Sequence, residues 1–118
     1  MSLKLPIPAN NATAITSPET VTLGDLEEGT VTYTPERSDT KFFLWNVGIS
    51  KKENTTYRLY VDDREVWNGA FPPSDIDALT TALYPSLEFT ESLRVEISNL
   101  LNNGTTREYH VMPCGWEE

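Results

Sequence analysis

The chain has few of the residues that small proteins use for chemistry or covalent support. It holds one cysteine, Cys114, and one histidine, His110, in 118 residues. A lone cysteine excludes an intrachain disulfide framework. Stability must then come from packing, ladder hydrogen bonds or association. His110 and Cys114, with Pro113 between them in sequence, do not supply the ligand set of a zinc site. They also lack the orienting group that a Cys–His nucleophile pair needs. Basic residues are scarce: Lys and Arg total 9 against 18 Asp and Glu, for a net charge of −9. A surface this acidic repels phosphate backbones and anionic lipid, so neither nucleic acid nor membrane is an expected partner. No apolar run is long enough to cross a bilayer, and the prolines of Met1–Pro8 interrupt any apolar leader core. Glycine-rich phosphate loops, G-x-S-x-G and H-E-x-x-H are all missing. The expectation is a protein that is not an enzyme, with no catalytic, cofactor-binding or metal-binding residues.

Two acidic clusters are present, Asp62-Asp63-Arg64-Glu65 and Asp75-Ile76-Asp77. Neither carries the calcium-loop pattern with its central glycine. The first reads as a hairpin turn and the second as a helix start. Sequons at Asn11, Asn54 and Asn103 are frequent chance matches in a chain rich in Asn and Thr. The acidity itself has three readings: ordinary solubility charge, adaptation to high salt, or a match to a basic partner.

What the chain does have is short apolar, aromatic and β-branched blocks separated by turn residues, which is the pattern of antiparallel strands. Glu19–Leu23 and Thr30–Thr34 are strand candidates, the second alternating strictly. Lys41–Ile49 reads as a central strand with Phe43, Trp45, Val47 and Ile49 facing the core and Phe42 and Leu44 on the other face. Tyr57–Val61 and Glu65–Trp67 form a hairpin across Asp62-Asp63. Leu87–Phe89, Leu93–Ile97 and Thr106–Met112 follow. The turn Asn102-Asn103-Gly104 precedes the last strand, and Pro113 closes it. Ser74 as a cap, Asp77 three residues on, and the stripe Ile76, Leu79, Ala82, Leu83 predict one helix over Ser74–Leu83. The expected fold is an all-β antiparallel sandwich, jelly-roll or immunoglobulin-like, with that one short helix. Its core should contain Phe43, Trp45, Val47, Leu59, Val61, Leu93, Val95, Ile97, Tyr109 and Val111.

Residues 1–18 read as an extended N-terminal arm, and residues 19–118 as the sandwich domain. The arm alternates Leu3, Leu5 and Ile7 around Lys4 and Pro6. The plain reading is a tail; the sharper one is an arm that crosses a neighbouring subunit. Three tryptophans and five tyrosines fit core and interface packing, or the stacking of sugars. Trp116 lies in the expected tail after Pro113 and is a candidate anchor. The candidate partner-binding residues are Leu3, Leu5, Ile7, Phe42 and Trp116.

The block Phe43–Trp67, the segment Pro72-Pro73-Ser74-Asp75-Ile76-Asp77 and the closing strand Arg107–Val111 resemble small β-sandwich structural proteins of tailed-virus particles. The acidic, lysine-poor bias resembles those of viruses that infect salt-loving archaea. The resemblance lies in texture over roughly the last two thirds of the chain, and no defining motif carries residues across. It implies a virion structural protein (head decoration, turret, tail or fibre part) assembled in the host cytoplasm. Its partners would be copies of itself and other virion proteins. The alternative is a carbohydrate- or receptor-binding module that takes a surface glycan.

Overall fold

The computed structural model describes residues 13–15, 18–37, 39–78 and 87–118. The strands among them are β1 (Thr13–Ile15), β2 (Glu19–Leu23), β3 (Glu28–Tyr33), β4 (Phe42–Ile49), β5 (Thr55–Val61), β6 (Arg64–Gly69), β7 (Ser74–Asp75), β8 (Leu87–Phe89), β9 (Leu93–Asn99) and β10 (Arg107–Glu117). They form two sheets packed face to face. In one, β10 and β4 pair at the centre. β2 and β1 run end to end along the free side of β10, and β7 and β8 along the free side of β4. The other sheet has the order β3-β9-β5-β6. All pairings are antiparallel except the two-residue match of β7 to β4.

Strict alternation produces the four-stranded sheet. Thr55, Tyr57, Leu59 and Val61 of β5, and Leu93, Val95, Ile97 and Asn99 of β9, turn inward, and the residues between them are half-buried. Val47, Ile49, Tyr109 and Val111 meet them from the other sheet. The Tyr33 hydroxyl donates to the Val111 carbonyl at 3.2 Å and ties the two layers together. Asp62 and Asp63 both adopt positive φ, 50° and 61°, as the tight β5–β6 hairpin requires. Gly104, at φ 79°, sits in the expected turn before β10.

Four sequence expectations need correction. The helix over Ser74–Leu83 is not seen; among the described residues there is no helix, and residues 79–83 lie outside them. Ser74 is buried beside β4 instead of capping, and the Ile76 N–H donates to the Ile49 carbonyl at 3.2 Å. The Asp75 carboxylate takes the Asp77 N–H at 3.1 Å, an Asx turn that competes with helix initiation. The unpaired edge of β4 thus outweighs the local helix signal.

Phe43 and Trp45 are half-buried rather than core residues. The register explains why: Asn46 pairs with Cys114 and Leu44 with Gly115, which leaves Trp45 as an extra residue on β4. This β-bulge shifts the pleat by one residue. Phe42 and Leu44 before it, and Val47 and Ile49 after it, all face the core.

Pro113 does not end the last strand, which runs on to Glu117. The proline falls between Val111, the last partner of β2, and Gly115, the first partner of β1. The strand changes neighbours there, so the missing N–H disrupts no pairing on that side.

Trp116 is accordingly a strand residue, opposite Ala14 of β1 and Phe43 of β4. Thr13–Ile15, within the span read as an extended arm, pairs with Gly115–Glu117 of β10.

Candidate functional site

The strand directions collect four connections at one end of the molecule: residues 24–27, 50–54, 70–73 and 100–106. Hydrogen bonds interlock three of them, 24–27, 50–54 and 100–106. The Leu26 N–H donates to the Leu101 carbonyl at 3.0 Å, the Leu100 N–H to the Asn54 carbonyl at 2.8 Å, and the Asn99 N–H to the Glu27 carbonyl at 2.9 Å. Asp25 accepts from the N–H groups of Asn103 and Gly104, both at 3.1 Å. These three loops are therefore held in place by one another.

The same end carries the large apolar side chains that the fold leaves in water. Among the described residues these are Leu26, 64% exposed, Phe71, 64%, and Leu100, 51%. Leu26 also adopts φ 57°, a left-handed conformation that a branched side chain disfavours.

Beside them lies a recess of about 460 Å³ lined by Lys51, Lys52, Glu53, Asn54, Ala70 and Phe71. The Lys51 ammonium sits 5.2 Å from the centre of the Phe71 ring, and that of Lys52 5.9 Å from the centre of Tyr109. Arg107 Nη1 donates to the Glu53 carbonyl at 2.6 Å and to the Tyr109 hydroxyl at 3.2 Å. Tyr57 braces the loop from below: its hydroxyl donates to the Ser50 carbonyl at 2.7 Å and accepts the Lys52 N–H at 3.0 Å. Lys41, Arg37, Arg58 and Arg94 each pair with a carboxylate elsewhere. Lys51, Lys52 and Arg107 have no carboxylate at ion-pair distance among the described residues. The site therefore offers positive charge around an aromatic floor on a chain of net charge −9.

The residues with chemical potential are engaged in the fold. His110 Nδ1 shares a hydrogen with Thr20 Oγ1 at 2.9 Å. Burial pushes the Cys114 thiol above its usual pKa, which lowers its thiolate fraction. Among the described residues, no three His, Cys, Asp or Glu side chains converge as metal ligands.

The partner-binding residues expected from sequence are not brought together. Leu3, Leu5 and Ile7 lie outside the described residues. Phe42 is 2% exposed and stacks on Phe89 with ring centres 4.7 Å apart. Trp116 is 6% exposed and stacks on Phe43 at 5.4 Å. Both side chains are occupied within the chain. The reading from sequence missed Leu26, Leu100, Phe71 and the two lysines. The available signal for Leu26 was an apolar residue inside a polar connection, Asp25-Leu26-Glu27-Glu28. In comparisons with known proteins, no family model and no curated protein matches this chain.

Proposed function

We propose that this protein is a non-enzymatic structural component of a virus particle. It acts by assembling with copies of itself and with other virion proteins, as a head-decoration, turret, tail or fibre subunit. Its two-sheet fold is then a sandwich of the jelly-roll or immunoglobulin-like kind. The observation that carries the reading is the placement of Leu26, Phe71 and Leu100 at one end of the fold, with the Leu26 and Leu100 loops bonded to their neighbours. Exposed apolar side chains scattered singly need no explanation, whereas a group of them at one end of the fold is what a protein contact uses. The engagement of His110, Cys114 and Glu117 in the fold supports a role without chemistry. The virion setting rests on the resemblance in sequence texture, and Leu3, Leu5 and Ile7 would add a second contact. Light scattering tests the assembly: the expected mass is a multiple of 13.3 kDa. A strict monomer at every concentration counts against it.

One observation favours a second reading, a carbohydrate- or receptor-binding module. The recess presents an exposed aromatic ring, Phe71, next to polar donors, which is how pyranose faces are held. The indole N–H of Trp67 donates to the Phe71 carbonyl at 2.9 Å, so its fluorescence would report an occupant. A glycan screen followed by tryptophan-fluorescence titration decides between the two.

A further inference from the structure

We propose that the loop-bearing end is complementary to itself. The Leu26 turn of one copy enters the lysine-flanked recess of a second copy, and the reciprocal contact forms across the same two-fold axis. This rests on the reading of that end as an assembly surface and names the partner it takes.

Leu26 is the first ground. It is 64% exposed and holds φ 57°. Neither property benefits the isolated fold: glycine or asparagine would suit the backbone better, and any polar residue would suit the exposure. A leucine kept under both penalties is accounted for by burial in a partner.

Charge is the second ground. Acidic Asp25 and Glu27 flank Leu26, and both are exposed. The recess holds Lys51 and Lys52 with Arg107 behind them, against one carboxylate in its lining, Glu53. On a chain of net charge −9, copies repel one another over most of their surface. Among the described residues, three cations without a carboxylate at ion-pair distance, Lys51, Lys52 and Arg107, gather at this end against the single Arg64 at the other, so an acidic turn is attracted here.

Placement is the third ground. The turn and the recess sit on the same end, joined through the Leu26–Leu101 and Leu100–Asn54 bonds. A single two-fold rotation can therefore satisfy both contacts, as isologous dimers require. Leucine then covers the Phe71 ring, and the acids face the lysines.

The test uses the full chain and follows mass against concentration by sedimentation equilibrium, with thermal melting as the check on folding. Leu26→Gly should weaken association by about tenfold or more, since it removes a buried apolar side chain. Its melting temperature, read at a dilution where wild type is monomeric, should be unchanged or higher, because the backbone strain is relieved; where wild type is assembled, the variant should melt lower. At the monomeric dilution an interior structural residue would give the opposite result. Lys51→Glu with Lys52→Glu should weaken association, and so should Glu27→Lys. Mixing these two variants should restore a mixed dimer, because each acidic turn then meets a basic recess and each basic turn an acidic one. Assembly that survives Leu26→Gly and both charge variants overturns this contact and leaves the structural role standing. Wild-type protein that stays monomeric throughout overturns the structural role, and this contact with it.

Discussion

Arg37 and Glu117 clamp the β3–β4 connection onto the end of β10. The carboxylate of Glu117, 1% exposed, accepts the Arg37 backbone N–H at 3.0 Å and Nε at 3.1 Å. Arg37 Nη2 closes the ring by donating to the Glu117 carbonyl at 2.7 Å. Reciprocal bonds between Lys41 and Glu118, at 2.9 and 3.0 Å, continue the ladder beyond it. Glu117→Gln should therefore cost about 2 kcal/mol in urea unfolding at neutral pH, the range for hydrogen bonds to a charged group.

The same bonds set an acid limit. Burial alone would raise the Glu117 pKa, but the donors from Arg37, Thr40 and Glu36 outweigh it, and the net shift is downward from 4.5. Asp62 behaves alike: burial raises it, and the N–H groups of Ser92, Glu91 and Thr90 bring it below 3.8. A carboxylate whose pKa falls on folding adds stability that is complete above its unfolded value and lost as pH drops through its folded value. Unfolding free energy should hold above about pH 5 and fall steadily below it. The gap between wild type and Glu117→Gln should narrow over the same range. A gap that stays constant down to pH 3 would remove the Glu117 charge as its source.

Gly115 and Gly69 should respond oppositely to alanine. A Cβ at Gly115 would overlap the Phe43 carbonyl oxygen and the Phe42 ring, where the bulged β4 comes closest to β10. Gly115→Ala should cost about 1–3 kcal/mol or prevent folding, as overpacking does. A Cβ at Gly69 meets nothing within 4 Å. Gly69→Ala should be neutral or gain about 0.5 kcal/mol from the restricted unfolded chain. Denaturation midpoints of the two variants test the bulge directly.

That bulge marks the limit of what the sequence discloses. The alternation of Tyr57–Val61 and Leu93–Ile97 is unbroken, so the inward set of the four-stranded sheet is legible residue by residue. In β4 both phases are apolar, and nothing within Phe42–Ile49 signals that Trp45 is the extra residue; the reason lies in Gly115, far along the chain. Ser74 shows the same limit in another form. Its local cap signal is real, yet the free edge of β4, contributed from elsewhere in the sequence, takes its backbone instead. The candidate site was least legible, because Leu26 and Phe71 are notable only once it is known that the fold leaves them exposed.

Tyr57 links core and recess. Tyr57→Phe keeps the buried ring but leaves the Ser50 carbonyl and the Lys52 N–H without this partner. A loss of about 1–3 kcal/mol is expected, the cost of buried polar groups left unsatisfied. Hydrogen exchange at Lys52 should quicken more than at Val95 in the core. Equal acceleration at both sites would mean that the hydroxyl supports the whole fold rather than the recess loop.

Salt acts on two opposing terms. On the outer face of the four-stranded sheet, Arg58 bridges Glu28 and Glu96, and Arg94 bridges Glu96 and Asp63, at 2.9 to 3.5 Å. Screening weakens these attractions, but partly exposed pairs are worth only about 0.2–1 kcal/mol each. Against them stands the self-repulsion of 18 acidic residues with 9 basic ones to offset them. Sodium chloride above about 0.1 M shortens the screening length to roughly 10 Å or less, which removes repulsion between carboxylates farther apart than the bridged pairs. The melting temperature should therefore rise with salt from low ionic strength. Glu96→Gln removes the carboxylate shared by both arginines, so the variant has less attraction to lose and should rise more steeply than wild type. A wild-type curve that falls with salt would show that the bridged network outweighs the net charge, and would count against adaptation to high salt as the reason for the acidity.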